Sequence, residues 1–296
     1  MDIVFIGTAP FAVPSLRALV AAGHSVPLVV TQPDRPAHRL RLTPSAVKVA
    51  ARELELEVFQ PERLRAPEAV ERLRQVPSDL YVVAAYGQII SAQVLALPRR
   101  GVLNVHASLL PRWRGASPVV AAILHGDPQT GVTIMQMDEL LDHGPILRAR
   151  STPIGERETA PELTQRLAGM GAELLVETIE ELDTITPREQ DHDAATHAGK
   201  LSREDGELTW DLDAVDIDRH VRALNPWPGV TLELAGHRVK VLRGHPSGGS
   251  GRPGTVLSTG KAEVEVAAGR GSYVLEEVQN PGGRPAAAAA TLHHRA

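Results

Sequence analysis

Short runs of aliphatic residues recur along the first half of the chain, and most end in a glycine or a polar turn. Residues 3–6 form one such run, closed by Gly7; others lie at 26–30, at Val58, at 80–85 before Tyr86 and Gly87, at 102–105 and at 132–137. Continuous apolar runs of this length suit strands buried on both faces. Between them, apolar residues recur at three- to four-residue intervals over 13–22, 47–56, 68–74 and 118–124, which predicts helices. Short buried strands alternating with amphipathic helices predict an α/β fold, a Rossmann-like, doubly wound and mostly parallel sheet. Ligands of such sheets bind beyond the C-terminal ends of the strands. Gly7, Tyr86 and residues 104–108 fall at or just past those ends.

The pattern changes near residue 183. Residues 184–206 are polar, contain Pro187 and mix both signs of charge, so they read as a linker between a first domain at 1–183 and a second at 207–296. A helix is predicted over 214–223. It is followed by five short strand candidates, at 231–234, 238–242, 254–257, 262–267 and 273–278, separated by glycine-rich turns. That spacing predicts a small OB-like β-barrel. Residues 284–296 include five consecutive alanines and read as a frayed tail or a short helix. A chain of 296 residues fits two domains, and no internal repeat is present.

Two segments carry candidate chemistry. The strand at 102–105 runs into Asn104-Val105-His106-Ala107-Ser108-Leu109-Leu110-Pro111-Arg112-Trp113-Arg114-Gly115. Alternate strand residues share a face, so Asn104 and His106 project together, an amide donor beside a titratable imidazole. A lone histidine at a strand end is more often structural; the asparagine partner and the proline-closed turn shift the reading toward function. The second segment is a strand followed by Asp138-Glu139-Leu140-Leu141-Asp142-His143-Gly144. By itself Asp-x-Gly is most often a turn. Its weight comes from standing beside Asn-x-His.

Together these segments resemble the signature of the folate-dependent formyltransferases. Gly7-Thr8-Ala9-Pro10-Phe11-Ala12, Gln32-Pro33-Asp34-Arg35-Pro36-Ala37, Ala85-Tyr86-Gly87 and Asn225-Pro226-Trp227-Pro228 match the same family, in the same order, from residue 3 to about 281. The resemblance implies a formyl transfer from 10-formyltetrahydrofolate to the methionine amino group of initiator methionyl-tRNA; a monomer is expected, with the cytoplasm as its default location. It implies a catalytic trio of Asn104, His106 and Asp142. It further implies a folate site built from Tyr86, Gly87, Ile89, Ser108, Leu109, Leu110, Pro111 and Asp138. The chemistry suits these residue types. As an amine attacks the formyl carbon, negative charge grows on the formyl oxygen, where Asn104 and a protonated His106 can donate hydrogen bonds. Asp142 would favour the charged ring, orient it, and hold a water that relays the proton to N10.

Charge adds to this picture. The net charge of −5 does not mark the whole molecule as a polyanion binder, but its distribution is uneven. Residues 35–52 contain Arg35, Arg39, Arg41, Lys48 and Arg52 with no acidic residue, where the family has a mobile loop that contacts the tRNA acceptor stem. From Arg238 onward there are eight Lys or Arg against four Asp or Glu, and Arg238 and Lys240 are expected to meet phosphate. The loop departs from the family's Pro-Ala-Gly-Arg-Gly, reading Pro36-Ala37-His38-Arg39-Leu40-Arg41. Ser117 and Pro145 also depart, as does the tail.

Other classes are disfavoured. There is no cysteine, so disulfides, thiolate metal sites and a cysteine nucleophile are excluded. No dinucleotide fingerprint, nucleophile elbow, Walker lysine or His-Glu-x-x-His is present. His192, His197, His293 and His294 fall in the expected linker and tail, and no metal is expected. No apolar run approaches the roughly 20 residues of a membrane span, and the first residues read as a strand and turn rather than a signal peptide. Three rivals remain: a formyltransferase for a nucleotide-linked amino sugar, a non-catalytic RNA-binding protein using only the barrel, and a folate hydrolase or dehydrogenase sharing the first domain. The intact trio argues against the second, and the barrel against the third.

Overall fold

The computed structural model describes residues 1–36 and 42–293, and the chain divides into two compact units. Arg39 and Arg41 lie outside the described residues. Up to Ala198 the elements are β1 (Asp2–Gly7), α1 (Val13–Ala21), β2 (Ser25–Val30), β3 (Arg35–Pro36), β4 (Leu42–Thr43), α2 (Ala46–Glu53), β5 (Val58–Phe59), α3 (Pro67–Arg74), β6 (Leu80–Ala84), α4 (Ala92–Leu95), β7 (Val102–His106), β8 (Arg114–Gly115), α5 (Pro118–Leu124), β9 (Gln129–Gln136), β10 (Ile146–Pro153), α6 (Ala160–Glu180) and β11 (His197–Ala198).

The first unit comprises Met1–Pro118, Gln129–Pro153 and Thr164–Ala198. It holds a seven-stranded sheet in the order β10-β9-β7-β6-β1-β2-β5. The pairs β1/β2, β1/β6, β2/β5 and β6/β7 are parallel, whereas β9 runs antiparallel to both β7 and β10. The mostly parallel, Rossmann-like sheet expected from the sequence is present, with a reversed strand near one edge. Every residue of β6 and β7 is buried, which explains the unbroken apolar run of β6; β7 interrupts its own only with Asn104 and His106. From β1 the chain builds β2 and β5 on one side, then crosses to build β6 and β7 on the other. The strand order therefore switches between β1 and β6, the position at which sheets of this kind bind ligands beyond their strand ends. Ala9 N–H donates to the Ala85 carbonyl and Thr8 Oγ1 to the Tyr86 carbonyl, at 3.2 and 3.1 Å, tying the two loops across that switch.

The apolar pattern alone assigns no element to 138–183, yet β10 and α6 lie there. β10 is largely half-exposed, and its Arg148 and Arg150 pair with Glu181, Glu173 and Glu177 of the α6 region, so charge masks its apolar signal. Leu163, Leu167, Leu174, Leu175 and Ile179 form the buried stripe of α6. At Gly171 a Cβ would stand 2.8 Å from Val105 Cγ1, so the missing side chain lets the helix lie close on β7.

The second unit comprises Val119–Pro128, Ile154–Leu163 and Gly199–Ala296. It contains α7 (Ala214–Leu224), β12 (Val230–Leu234), β13 (His237–Ser247), β14 (Val256–Thr259), β15 (Val264–Ala267), β16 (Ser272–Gln279), β17 (Pro285–Ala287) and α8 (Ala288–His293). Its antiparallel sheet runs β12-β13-β16-β15-β14, with β17 added beside β16. Where an OB-like barrel is expected, β13 shifts register on β16 around Arg243, and no pairing among the described residues joins β12 to β14. Val239, Val241, Val266, Tyr273, Leu275 and Val278 fill its core with Ile217 and Leu224 of α7. Residues 284–293, expected as a frayed tail or a short helix, supply the strand β17 as well as the short helix α8, with Ala288 and Ala289 buried.

The segment 184–206, expected as a linker, is ordered in both units. Arg188 exchanges backbone hydrogen bonds with Ile146, and β11 pairs with β8. Among the described residues no helix is long and apolar enough to cross a membrane.

Candidate functional site

Asn104 and His106 stand at the C-terminal end of β7 on one face, as strand alternation requires, and both are buried. Asp142 reaches them from the loop between β9 and β10. Its backbone is left-handed, φ +46°, a conformation that aspartate and asparagine enter more readily than other L residues. Asp142 is 9% exposed and its carboxylate has defined partners. Asn104 Nδ2 donates to Oδ1 at 3.2 Å, and Gly115 N–H donates to Oδ2 at 2.7 Å. His106 Nδ1 lies 3.6 Å from Oδ2, in ion-pair range but beyond a hydrogen bond. The trio named from the sequence is therefore brought together in space.

His106 is held from its other side. Nε2 lies 3.0 Å from the Trp113 carbonyl, and because a carbonyl only accepts, Nε2 carries the proton. The Nδ1 edge, facing Asp142, is the one left for proton exchange. Only by swinging away from Trp113 could Nε2 donate to a substrate oxygen. Trp113 also has a left-handed backbone, φ +61°, and the Arg112 guanidinium stacks over its ring at 4.3 Å. This turn is pinned by Ser108, whose Oγ donates to the Arg112 carbonyl at 2.6 Å, and by Thr133, whose Oγ1 donates to the Ser108 carbonyl at 2.7 Å. Leu110 N–H donates to the same Thr133 oxygen.

The other expected residues divide. Ser108 and Leu110 are buried, and Leu110 packs with Met135 and Ile146. Leu109 and Pro111 are half-buried. Tyr86 turns its ring into the core beside Ile6, Val83 and Val102; burial pushes its phenol up to about 12, and what it turns to the loop is its carbonyl, which accepts from Gln32 Nε2 at 2.5 Å. Gly87 has φ +81°, and Ile89 is 74% exposed. Asp138 accepts from Leu140 N–H at 2.9 Å and pairs with His143 Nδ1 at 2.6 Å.

Of the basic residues, Arg35 is exposed beside Gln32. Lys48 does not belong to a solvated positive face: it is 7% exposed and pairs with Asp34 at 2.6 Å. Hydrogen bonds from Lys48 and Gln60 hold the Asp34 carboxyl below the usual carboxylate range. In the second unit, Arg238 and Lys240 flank buried Val239 on β13 and so share its outer face. Arg238 pairs with Glu207 at 3.0 Å, and Lys240 donates to the Pro226 carbonyl at 2.9 Å.

Sequence reasoning missed a layer behind the trio. Gln190, 5% exposed, donates from Nε2 to the carbonyls of Asp142 and Gly144 at 2.9 and 2.7 Å. Arg114, also 5% exposed, donates to Gln190 Oε1 from Nε and a terminal nitrogen at 3.1 and 2.7 Å, and to His192 Nδ1 at 2.8 Å. The His192 ring stacks on His143, centroids 3.9 Å apart. The available signal was Arg114 itself, adjoining the Trp113 and Gly115 backbone groups that bind the trio. Among the described residues no group of three or more His, Asp or Glu is placed to hold a metal ion.

An amide, an imidazole and a carboxylate are thus buried together at the C-terminal end of β7, groups that between them can donate hydrogen bonds and exchange a proton. Comparison with known proteins agrees in kind. Residues 1–179 match the Formyl transferase family and residues 200–295 the Formyl transferase C-terminal domain. A Methionyl-tRNA formyltransferase of Thiobacillus denitrificans is 49% identical over 300 residues, covering 100% of this chain and 97% of that protein. Two solved structures share the fold. The N-formyltransferase from Helicobacter canadensis in complex with folinic acid and dTDP-3-aminofucose has a TM-score of 0.71 at 15% identity, over 93% of this chain and 98% of that one. HypX from Aquifex aeolicus in complex with tetrahydrofolic acid has a TM-score of 0.65 at 19% identity, over 99% of this chain; the match spans 47% of HypX, about half its length. With both family regions in order and a near-full-length relative at this identity, the chain belongs to the formyl transferase family.

Proposed function

We propose that this chain is a methionyl-tRNA formyltransferase, moving the formyl group of 10-formyltetrahydrofolate to the methionine amino nitrogen of initiator methionyl-tRNA, in the cytoplasm. The observation that carries the mechanism is the Asp142 carboxylate, anchored by Asn104 and the Gly115 N–H and facing His106 Nδ1. The amine lone pair attacks the formyl carbon and the carbonyl electrons move to oxygen. Asn104 uses one amide hydrogen on Asp142 and offers its second to that oxyanion. The attacking nitrogen loses a proton to the Nδ1 edge of His106, directly or through water, and the resulting charge is stabilised by Asp142. The bond from carbon to N10 then breaks as N10 takes up the proton. Neither a covalent enzyme intermediate nor a metal enters this sequence.

The folate would lie beyond β6 and β7, against the backbone of 86–89 and 108–111 and the loop holding Asp138. The Arg35 region of the first unit and the Arg238–Lys240 face of the second are the surfaces offered to tRNA phosphates. The test is formyl transfer from 10-formyltetrahydrofolate to charged initiator tRNA, run beside a nucleotide-linked amino sugar. Transfer to tRNA at least about 10²-fold more efficient supports the reading, a margin of about 2.7 kcal/mol. Preference for the sugar would replace it.

A further inference from the structure

Asp142 is held at both ends by two segments of chain that Arg114 and Gln190 join. Its carboxylate takes the Gly115 N–H, and its backbone carbonyl takes the Gln190 amide, whose orientation is set by Arg114, the residue before Gly115. The logic is one of donors and acceptors. A guanidinium only donates, so Arg114 forces Gln190 Oε1 toward itself and turns Nε2 toward the two carbonyls. Both amide hydrogens of Gln190 are then used, on the carbonyls of left-handed Asp142 and of Gly144 two residues on. A flipped amide would set NH2 against guanidinium and oxygen against two carbonyls, so the buried network has a single arrangement. Backbone bonds fix the rest. Arg114 N–H donates to the Thr196 carbonyl and Ala116 N–H to the Ala198 carbonyl, both at 2.8 Å, and Trp113 N–H donates to Thr196 Oγ1 at 2.9 Å.

We propose that Gln190 and Arg114 are positioning residues for the reaction, locking the Asp142 turn so that its carboxylate stays registered on Asn104 and His106. The proposal rests on the formyl-transfer reading for its kinetic arm only. Gln190→Glu keeps the shape and still accepts from Arg114, but it sets an anion against two carbonyls. Gln190→Ala removes the clamp, and Arg114→Lys cannot make the two-nitrogen contact with Oε1. The expected result for each is a fall in kcat of about 10²-fold, the scale of a misplacement of about 1 Å, with KM for tRNA and for folate within about twofold of wild type.

A second readout needs no substrate. Hydrogen exchange at the Gly115 amide, protected by Asp142 Oδ2, should speed up at least about tenfold in the Gln190 variants, while exchange in β1 and β6 stays at wild-type rates. Wild-type kcat together with wild-type Gly115 protection in Gln190→Glu would overturn the proposal. So would a loss confined to KM. If the wild-type protein transfers no formyl group to methionyl-tRNA, the functional reading fails while the exchange arm still decides whether Gln190 holds the turn. Should Gln190→Ala not fold, Gln190→Glu and Arg114→Lys decide alone.

Discussion

Replacing Asp142 by Asn tests the proposed mechanism at its anchor. The choice of asparagine follows from the backbone. At φ +46° an alanine would add left-handed strain of about 1 kcal/mol or more, confusing charge with conformation, whereas asparagine tolerates that region. Asp142→Asn therefore keeps volume and turn while removing charge and one acceptor. The two oxygens now serve two donors, Gly115 N–H at 2.7 Å and Asn104 Nδ2 at 3.2 Å. An amide can serve only one. Gly115 is backbone and cannot turn, so the new amide oxygen faces Gly115 and its NH2 faces Asn104. Asn104 must then flip to present oxygen, which removes its NH2 from the place where the formyl oxyanion forms.

Losing one such donor costs about 10²- to 10³-fold in kcat. Loss of the carboxylate 3.6 Å from His106 Nδ1 removes the partner of the protonated ring and should carry the total to about 10³-fold or beyond. Both effects act on the transition state, so KM for either substrate should stay within about threefold of wild type. The assay is single-turnover formylation of methionyl-tRNA with enzyme in excess, which removes product release from the rate. A variant that turns over within about threefold of wild type would refute the roles given to Asp142 and Asn104. A loss appearing only in KM would refute the transition-state argument.

Three further outcomes follow from the same geometry. Gly144→Ala would place a Cβ 2.0 Å from the Gln136 carbonyl oxygen, so it should lower stability by about 1–3 kcal/mol and depress kcat, read by denaturant melts and the transfer assay; an unchanged melt would contradict the packing at this turn. Glu276 is opposed by burial, but hydrogen bonds from His245, Arg157 and Arg243 outweigh it and leave the carboxyl below its usual range; a lowered folded-state value gives stability that is full above the unfolded carboxylate range and lost as pH falls through the folded value. Glu276→Gln should therefore lower Tm near neutrality, with the gap from wild type narrowing in acid; a gap that widens in acid would reverse the sign. A chain ended after Asp183 loses Gln190 and β11, whereas one ended after Ala198 keeps both, so limited proteolysis should cut 108–116 and 138–144 faster in the shorter fragment; equal rates would count against the role of 188–198.

How far the sequence could be read depended on where each residue's partners lie. β6 is buried on both faces and marked by apolar character alone, while β7 is marked by Val102, Leu103 and Val105, and a turn follows each. β10 is half-exposed and balances its arginines against glutamates of the α6 region, so its pattern is legible only once the helix across from it is known. The same holds for the site. Asn104 and His106 share a strand face, a relation fixed by a spacing of two residues, and the resemblance supplied Asp142. Gln190 acts on a turn 48 positions earlier in the chain, and no local spacing encodes that contact.

Polarity in a sequence records that a residue needs hydrogen-bond partners, not whether water or protein provides them. Lys48 stands in a run of basic residues and reads as part of a solvated face, yet it turns inward, because Asp34 and Gln60 complete a polar cluster beneath it. Residues 184–206 read as a solvated linker for the same reason. Around Gln190, however, the acceptors are the buried carbonyls of Asp142 and Gly144, and the glutamine amide supplies their donors. The left-handed Asp142 is thus supported here by a buried amide behind it. When a family's catalytic aspartate occupies such a turn, a glutamine or asparagine in an unassigned polar stretch is the residue to seek.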